Sequence, residues 1–246
     1  MSGEREARAI PRPASKRMSG IKIGRTPRTT DRRRCQPGWG PASGALIHRA
    51  TAKVSYQHSS VVTHLTGPTP CSAMLVAVTG TPGAGKSSVC RVLAGRGYVI
   101  VDLDEMARSG GFIVGRDEAR QSDEVDVSAL REQLDIPAKI AFLKGHYSHL
   151  MNVNFAVVLR CRPRVLRERL TSRGWSEGKI RENVDAEAID VILQEAVERL
   201  DFVYEVDTTA RSAEESASQI LDILQGRTSG HEPGSVDWSD EVLSWY

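Results

Sequence analysis

The sequence predicts an α/β fold, a five-stranded parallel sheet with helices on both faces, and three observations predict it. The stretch from Met74 to Ser88 opens with the apolar run Leu75-Val76-Ala77-Val78 and passes through glycines into a helix. Four further short apolar runs follow, at residues 98–103, 140–143, 154–159 and 202–206, none with strict polar alternation, as expected of strands covered on both faces. Amphipathic helical segments lie between the runs, and strands alternating with helices place ligands at the carboxyl ends of a parallel sheet.

Between the first strand and its helix stands Gly80-Thr81-Pro82-Gly83-Ala84-Gly85-Lys86-Ser87, the complete G-x-x-x-x-G-K-S phosphate-binding loop. Its glycines let backbone N–H groups turn inward around phosphate oxygens, and the helix N-terminus near Lys86 adds partial positive charge. Lys86 would reach the β- and γ-phosphates as a flexible point charge, and the Ser87 hydroxyl would help to hold Mg²⁺. A glycine-rich turn alone would not need strand, motif and helix in this order. The class of fold is therefore that of a P-loop NTPase.

The elements follow in order. The first helix covers residues 87–94, with Val89, Val92 and Leu93 on one face, and stops at Gly95 and Gly97. The second strand, 98–103, runs into Asp104-Glu105-Met106-Ala107-Arg108. Residues 109–125 are polar and glycine-containing, suited to a mobile substrate flap, and Asp126 caps a helix over 127–134 before Pro137 breaks the chain. After the fourth strand, Pro163 opens a helix crowded with arginines, of which Arg162, Arg164 and Arg167 read as a solvated face. Arg173 differs: it precedes Gly174 at the helix end, where a short lid could swing its planar donor fork onto a triphosphate. One long helix is expected from Ser176 to about Leu200, packing through Ile180, Val184, Ala188, Ile192 and Ala196. Ser212-Ala-Glu-Glu215 is a capping box for a last helix with Ile220, Leu221 and Leu224 inward, and residues 229–246 read as a loose tail containing Trp238 and Trp245.

Charge divides the 246-residue chain in two. Residues 1–73 carry 13 Lys+Arg against 3 Asp+Glu, whereas the remaining 173 carry 20 against 28. The first part is rich in Arg, Ser, Thr, Pro and Gly and lacks sustained periodicity, so it is expected to be disordered. Three readings stand open for it: a basic arm that neutralises RNA phosphates, an acid-poor transit peptide, or residues upstream of a true start at Met74. The four cysteines, Cys35, Cys71, Cys90 and Cys161, have neither C-x-x-C nor zinc spacing, which suits free thiols in a reducing cytoplasm. No run approaches the roughly 18 apolar residues of a membrane span.

The set Gly80-Thr-Pro-Gly-Ala-Gly-Lys-Ser-Ser88, Asp104-x-x-Ala-Arg108, Gly145-His146, and Leu159-Arg160 with Glu168-Arg-Leu-x-x-Arg-Gly174 resembles the archaeal and eukaryotic adenylate kinase isoenzyme 6 family over about residues 74–240. The resemblance implies a nucleoside monophosphate (NMP) kinase-like domain with an NMP flap and short lid at residues 74–228. It implies ATP and Mg²⁺ as cofactors, AMP or another NMP as substrate, and ATP hydrolysis as a second activity. Gly83, Gly85, Lys86, Ser87, Ser88 and Arg173 would bind ATP, with Lys86 and Arg173 catalytic and Ser87 at the metal; Asp104, Arg108 and His146 would serve the monophosphate. Family members act in late small ribosomal subunit maturation and rRNA processing, in the cytoplasm, through transient contact with the pre-ribosome and small-subunit ribosomal protein eleven. One position departs from the pattern. Lys144 stands where the family usually has an acidic residue, and it could turn to a phosphate oxygen or pair with a carboxylate such as Asp102.

Overall fold

The computed structural model describes residues 73–118 and 122–245, and the readings of the basic arm fall outside the described residues. In chain order β1 (Met74–Thr79) is followed by α1 (Lys86–Gly95), β2 (Val99–Asp102), α2 (Leu103–Ser109), β3 (Ile113–Asp117), β4 (Ser122–Val125) and α3 (Val127–Glu132). Then come β5 (Ile140–Lys144), a 3₁₀ turn (Ser148–Leu150), β6 (Phe155–Arg160), α4 (Pro163–Thr171), α5 (Glu177–Ala188), α6 (Val191–Arg199), β7 (Val203–Asp207), α7 (Ala213–Leu224) and α8 (Ser239–Leu243).

The predicted five strands form one sheet in the order β2-β5-β1-β6-β7, every neighbour parallel. Successive side chains point to opposite faces. Val76, Val78, Phe142, Val157 and Leu159 enter the core shared with α1, α4, α5 and α7, Leu143 enters that beneath α2 and α3, and Val158 packs on Leu193 and Ala196 of α6. Both faces are thus covered, which is why the strands read as continuous apolar runs. With β1 in the centre, the chain leaves it toward β2 on one side and later toward β6 and β7 on the other. The carboxyl end of β1 is accordingly a topological switch point, the place where such sheets hold ligands.

Local signals act as expected at several helix starts. Asp126 accepts from Ser128 N and Ala129 N at 3.1 and 3.0 Å, Pro163 is the first residue of α4, and Ser212 and Glu215 close a reciprocal capping box.

Four expectations are corrected. The second strand ends at Asp102, whose carboxylate accepts from Asp104 N and so starts α2 at Leu103. The flap is not featureless: β3 and β4 pair antiparallel, Ile113 facing Val125, above a base sealed by buried Phe112 and Leu130. The single long helix is broken at Asp190, which takes φ 59° because its carboxylate, like that of Glu187 before it, is drawn to the buried guanidinium of Arg160.

The C-terminal segment, finally, is docked and not loose. Trp238 is 6% exposed, Gly234 N donates to Glu205 at 2.6 Å, and Glu241 accepts from Arg164 N at 2.7 Å. That last contact supplies from elsewhere in the chain the cap that α4 lacks at its own N-cap residue. Trp238→Ala is therefore expected to cost about 3 kcal/mol of unfolding free energy in denaturant titrations; a loose tail would leave stability unchanged.

Candidate active site

The phosphate-binding loop is shaped by what surrounds it. Gly80, Gly83 and Gly85 take φ of 126°, 97° and 104°, and a Cβ on Gly80 or Gly83 would fall 2.3 Å from Leu159 O or 2.6 Å from a Leu166 methyl. Only glycine fits where the loop presses on β6 and α4. The Thr208 hydroxyl lies 2.8 Å from Ala84 O and holds one shoulder of the loop; the Thr81 hydroxyl donates to Glu187 Oε2 at 2.6 Å and holds the other.

Lys86 opens α1 at the end of this loop, its ammonium donating to Gly80 O at 2.5 Å and Thr81 O at 3.2 Å. Burial pushes its pKa down to about 8, against the pull of the Asp104 and Glu187 carboxylates, and Arg173 adds to the depression. Across the loop lies a cleft of about 610 Å³. Gly83, Gly85, Lys86, Ser87, Asp104, Arg108, His146 and Arg173, all singled out from sequence, line it together. Ser88 is not among the lining residues; it sits exposed in the first turn of α1, its N–H on Gly85 O.

One wall belongs to the flap. Arg108 of α2 and Arg116 of β3 converge on the Asp123 carboxylate at 3.6 and 3.7 Å. The opposite wall belongs to the lid: Arg173 is exposed beside Gly174, whose φ is 73°, and Trp175 lies under the Lys179 ammonium at 4.5 Å. His146 stacks edge-on against Tyr147 at 4.9 Å; burial and the nearby Lys86 charge push its imidazole pKa down. Behind it His149, 1% exposed, lies 3.1 Å from Thr79 Oγ1 and 3.2 Å from Glu195. Burial and Arg199 lower its pKa to about 4, so it is neutral and structural near pH 7.

Lys144 turns to Asp102, forming a partly buried ion pair. Of the two roles open to it from sequence, the structure takes the pairing with a carboxylate. Asp102 is thereby occupied twice, by this ammonium and by the first turn of α2. Asp104 lines the same cleft as Ser87 and is the carboxylate there that could face a hydrated cation, with Lys86 and Tyr147 as its neighbours. Among the described residues no three His, Cys, Asp or Glu side chains cluster as a metal cage. Such a donor set, one hydroxyl and one carboxylate, suits Mg²⁺ carried on nucleotide phosphates and keeping most of its waters.

Several lining residues carried no recognisable signal of their own. Arg116, Asp123, Tyr147 and Asn183 lie in segments without motif spacing. Glu187 had a signal that could have found it: a carboxylate on the apolar stripe of Ile180 and Val184, in a chain that ends a doubly covered strand on Arg160.

A loop of this geometry at the switch point of a five-stranded parallel sheet, facing a hairpin flap and a short arginine-bearing lid, defines a P-loop phosphotransferase. A family model described as an AAA domain matches residues 76–190. The chain is 44% identical to the "Putative adenylate kinase" of Archaeoglobus fulgidus over 172 residues, spanning 69% of this chain and 94% of that one. It is 42% identical to the protein so named from Methanothermobacter thermautotrophicus, across 69% and 99% of the two chains. Among solved structures, a shikimate kinase from Acinetobacter baumannii in complex with shikimate aligns at 17% identity and a TM-score of 0.47, covering 64% of this chain and 96% of that one. The chain belongs to the adenylate kinase-like family of these archaeal proteins.

The depressed Lys86 pKa has a consequence for nucleotide affinity. An ammonium that binds nucleotide phosphates would meet them already charged below about pH 8; above it, binding would also have to take up a proton. The dissociation constant for ATP is therefore expected to rise with pH above about 8, by up to roughly tenfold per unit, and Lys86→Arg, which cannot deprotonate, should flatten that slope in isothermal titrations.

Proposed function

We propose that the protein is an adenylate kinase-type NMP kinase, converting ATP and AMP to two ADP, and that it also hydrolyses ATP. The observation that carries this reading is that one cleft is lined by two cationic groups, the glycine loop with Lys86 and, at the flap, Arg108 of α2 with Arg116 of β3. Phosphoryl transfer asks little covalent chemistry of a protein. It asks that donor and acceptor phosphates be held in line, that charge on the moving group be offset, and that water be kept out.

The residues divide those tasks. Backbone N–H groups of the loop and Lys86 hold the donor triphosphate; Arg108 and Arg116, released from Asp123, hold the acceptor monophosphate; Arg173 closes with the lid onto charge that grows in the transition state. Ser87 and Asp104 would hold Mg²⁺, which when bound would supply positive charge against the phosphates. His146, kept neutral by its surroundings, can donate one N–H to substrate without adding a charge.

The sequence resemblance alone supports an extension of the proposal. On it, the protein acts in the cytoplasm in late small ribosomal subunit maturation, with small-subunit ribosomal protein eleven as a transient partner; the alternative is a nucleotide-gated assembly factor whose ATPase, not its NMP kinase activity, is the main role. A coupled assay with and without AMP separates the two. A kinase forms ADP efficiently only when AMP is present; a nucleotide-gated assembly factor hydrolyses ATP alone and responds to its protein partner.

In that assay Lys86→Ala is expected to abolish both activities with the fold intact by circular dichroism. Arg173→Ala should lower kcat by on the order of 10²-fold with little change in KM, and an unchanged kcat would return Arg173 to the solvated surface. Lys144→Met frees Asp102 from its partner and is expected to lower the Mg²⁺ concentration for half-maximal rate, measured by Mg²⁺ titration at saturating ATP. An unshifted midpoint would mean that Asp102 does not reach the cation.

A further inference from the structure

We infer that Glu187 is a positioning residue of the phosphate-binding loop, and that the C-terminal segment around Trp238 fixes Glu187 for that task; the inference rests on the reading that this loop binds ATP. Glu187 lies in the last turn of α5 and is 3% exposed. Its Oε1 accepts from Arg160 Nε at 2.8 Å, Cys161 N at 3.2 Å and Trp238 Nε1 at 3.3 Å. Its Oε2 accepts from the Thr81 hydroxyl at 2.6 Å.

The two oxygens thus have separate duties. One is anchored by the strand end and the C-terminal segment, and the other reaches the loop. Thr81 is the right residue to hold, because its carbonyl oxygen is one of the two that receive the Lys86 ammonium. A loop of glycines has few side chains by which it can be gripped, and Thr81, 3% exposed, is one of them. Glu187 also closes the helix whose Lys179, Asn183 and Ala186 line the cleft. Position of the loop and position of the lid helix therefore meet at one carboxylate. Trp238 contributes a donor from a segment with no residue lining the cleft, and its ring lies 5.9 Å from the Arg160 guanidinium that anchors the same oxygen.

The test uses the full chain, with steady-state kinetics in both substrates and thermal melting. Thr81→Val removes the hydroxyl and keeps the shape; it is expected to raise KM for ATP on the order of tenfold while KM for AMP moves less than about twofold. Thr81→Ser should restore the wild-type value. Trp238→Phe keeps a ring and removes the donor, and should raise KM for ATP about threefold, although it lies outside the cleft. Since both changes act on one carboxylate, the double variant should fall short of the product of the singles by roughly threefold or more.

Wild-type KM for ATP in Thr81→Val, or purely multiplicative effects in the double variant, would overturn the inference. If Thr81→Val does not fold, Trp238→Phe decides alone: an unchanged KM for ATP overturns the inference, and a selective rise sustains it. Lys86→Ala run in parallel separates the two levels, because ATP binding that survives loss of Lys86 would overturn the loop assignment itself.

Discussion

A guanidinium buried to 1% exposure at the carboxyl end of β6 sets terms for everything near it. Arg160 cannot shed its charge, and an uncompensated charge at that depth would cost several kcal/mol. Burial by itself would push its pKa down; Glu187, Asp190 and Glu205 more than reverse this and hold it above the ordinary range. The three carboxylates come from α5, from the α5–α6 joint and from β7. Satisfying one side chain thus bends a helix, ties two neighbouring strands and aims a glutamate at the phosphate-binding loop. Three anions around one cation leave negative charge in excess, and Gly234 N and Trp238 Nε1 answer it with neutral donors from the C-terminal segment. Docking of that segment is therefore part of the same electrostatic solution.

The sheet was legible in the sequence because its physics is local and repeated. Doubly covered strands need apolar runs, their helices need caps, and the phosphate-binding loop needs its glycines, so each strand, Asp126, Ser212 and Pro163 could be placed from a few neighbouring residues. What escaped was set by partners far apart in sequence. Nothing near Asp190 announces a left-handed residue; the cause is Arg160, 30 positions earlier. Trp238 looked like part of a tail because its partners, Arg160, Arg162 and Glu187, lie 51 or more positions upstream. The hairpin of the flap was hidden by its polarity, since of its strand residues Ile113 and Val125 at its base pack on the core, while Val114, Arg116 and residues 122–124 are exposed.

The candidate site divides in the same way. Its loop residues and Arg173 could be read from motif and position. Its flap could be read only in outline, because Arg116 joins Arg108 through a shared carboxylate, Asp123, that no spacing rule connects to either. Lys144 is the instructive intermediate. The family resemblance implies an acid where this chain has a cation, and left two outcomes open; register decides between them, because β2 and β5 pair Asp102 directly with Lys144. A parallel partner at that level makes the ion pair nearly unavoidable, and the lysine is turned sideways along the sheet edge instead of forward into the cleft.

The proposed reaction must admit two nucleotides and then exclude water, and the way the loop is held suits it. The loop is gripped on both shoulders, by Thr208 at Ala84 and by Glu187 at Thr81, so the donor site can be formed before substrate arrives. Preformed donors spare the reaction the cost of reorganising dipoles at the moment of transfer. The remaining cations stand apart from that grip: Arg108 on α2 and Arg116 on the hairpin, both paired with Asp123, and Arg173 exposed beside Gly174 just past the end of α4. Lining the cleft are Lys86, Arg108, Arg116, Arg173 and Lys179 against Asp104, Asp123 and Glu182. The lowered Lys86 pKa comes first from burial, with Arg173 adding to it against the pull of Asp104 and Glu187. On the proposed reading, five cations facing three carboxylates across the cleft would favour a polyanion over a neutral ligand, and bound phosphates would take over the charge compensation that Asp104 and Asp123 now supply.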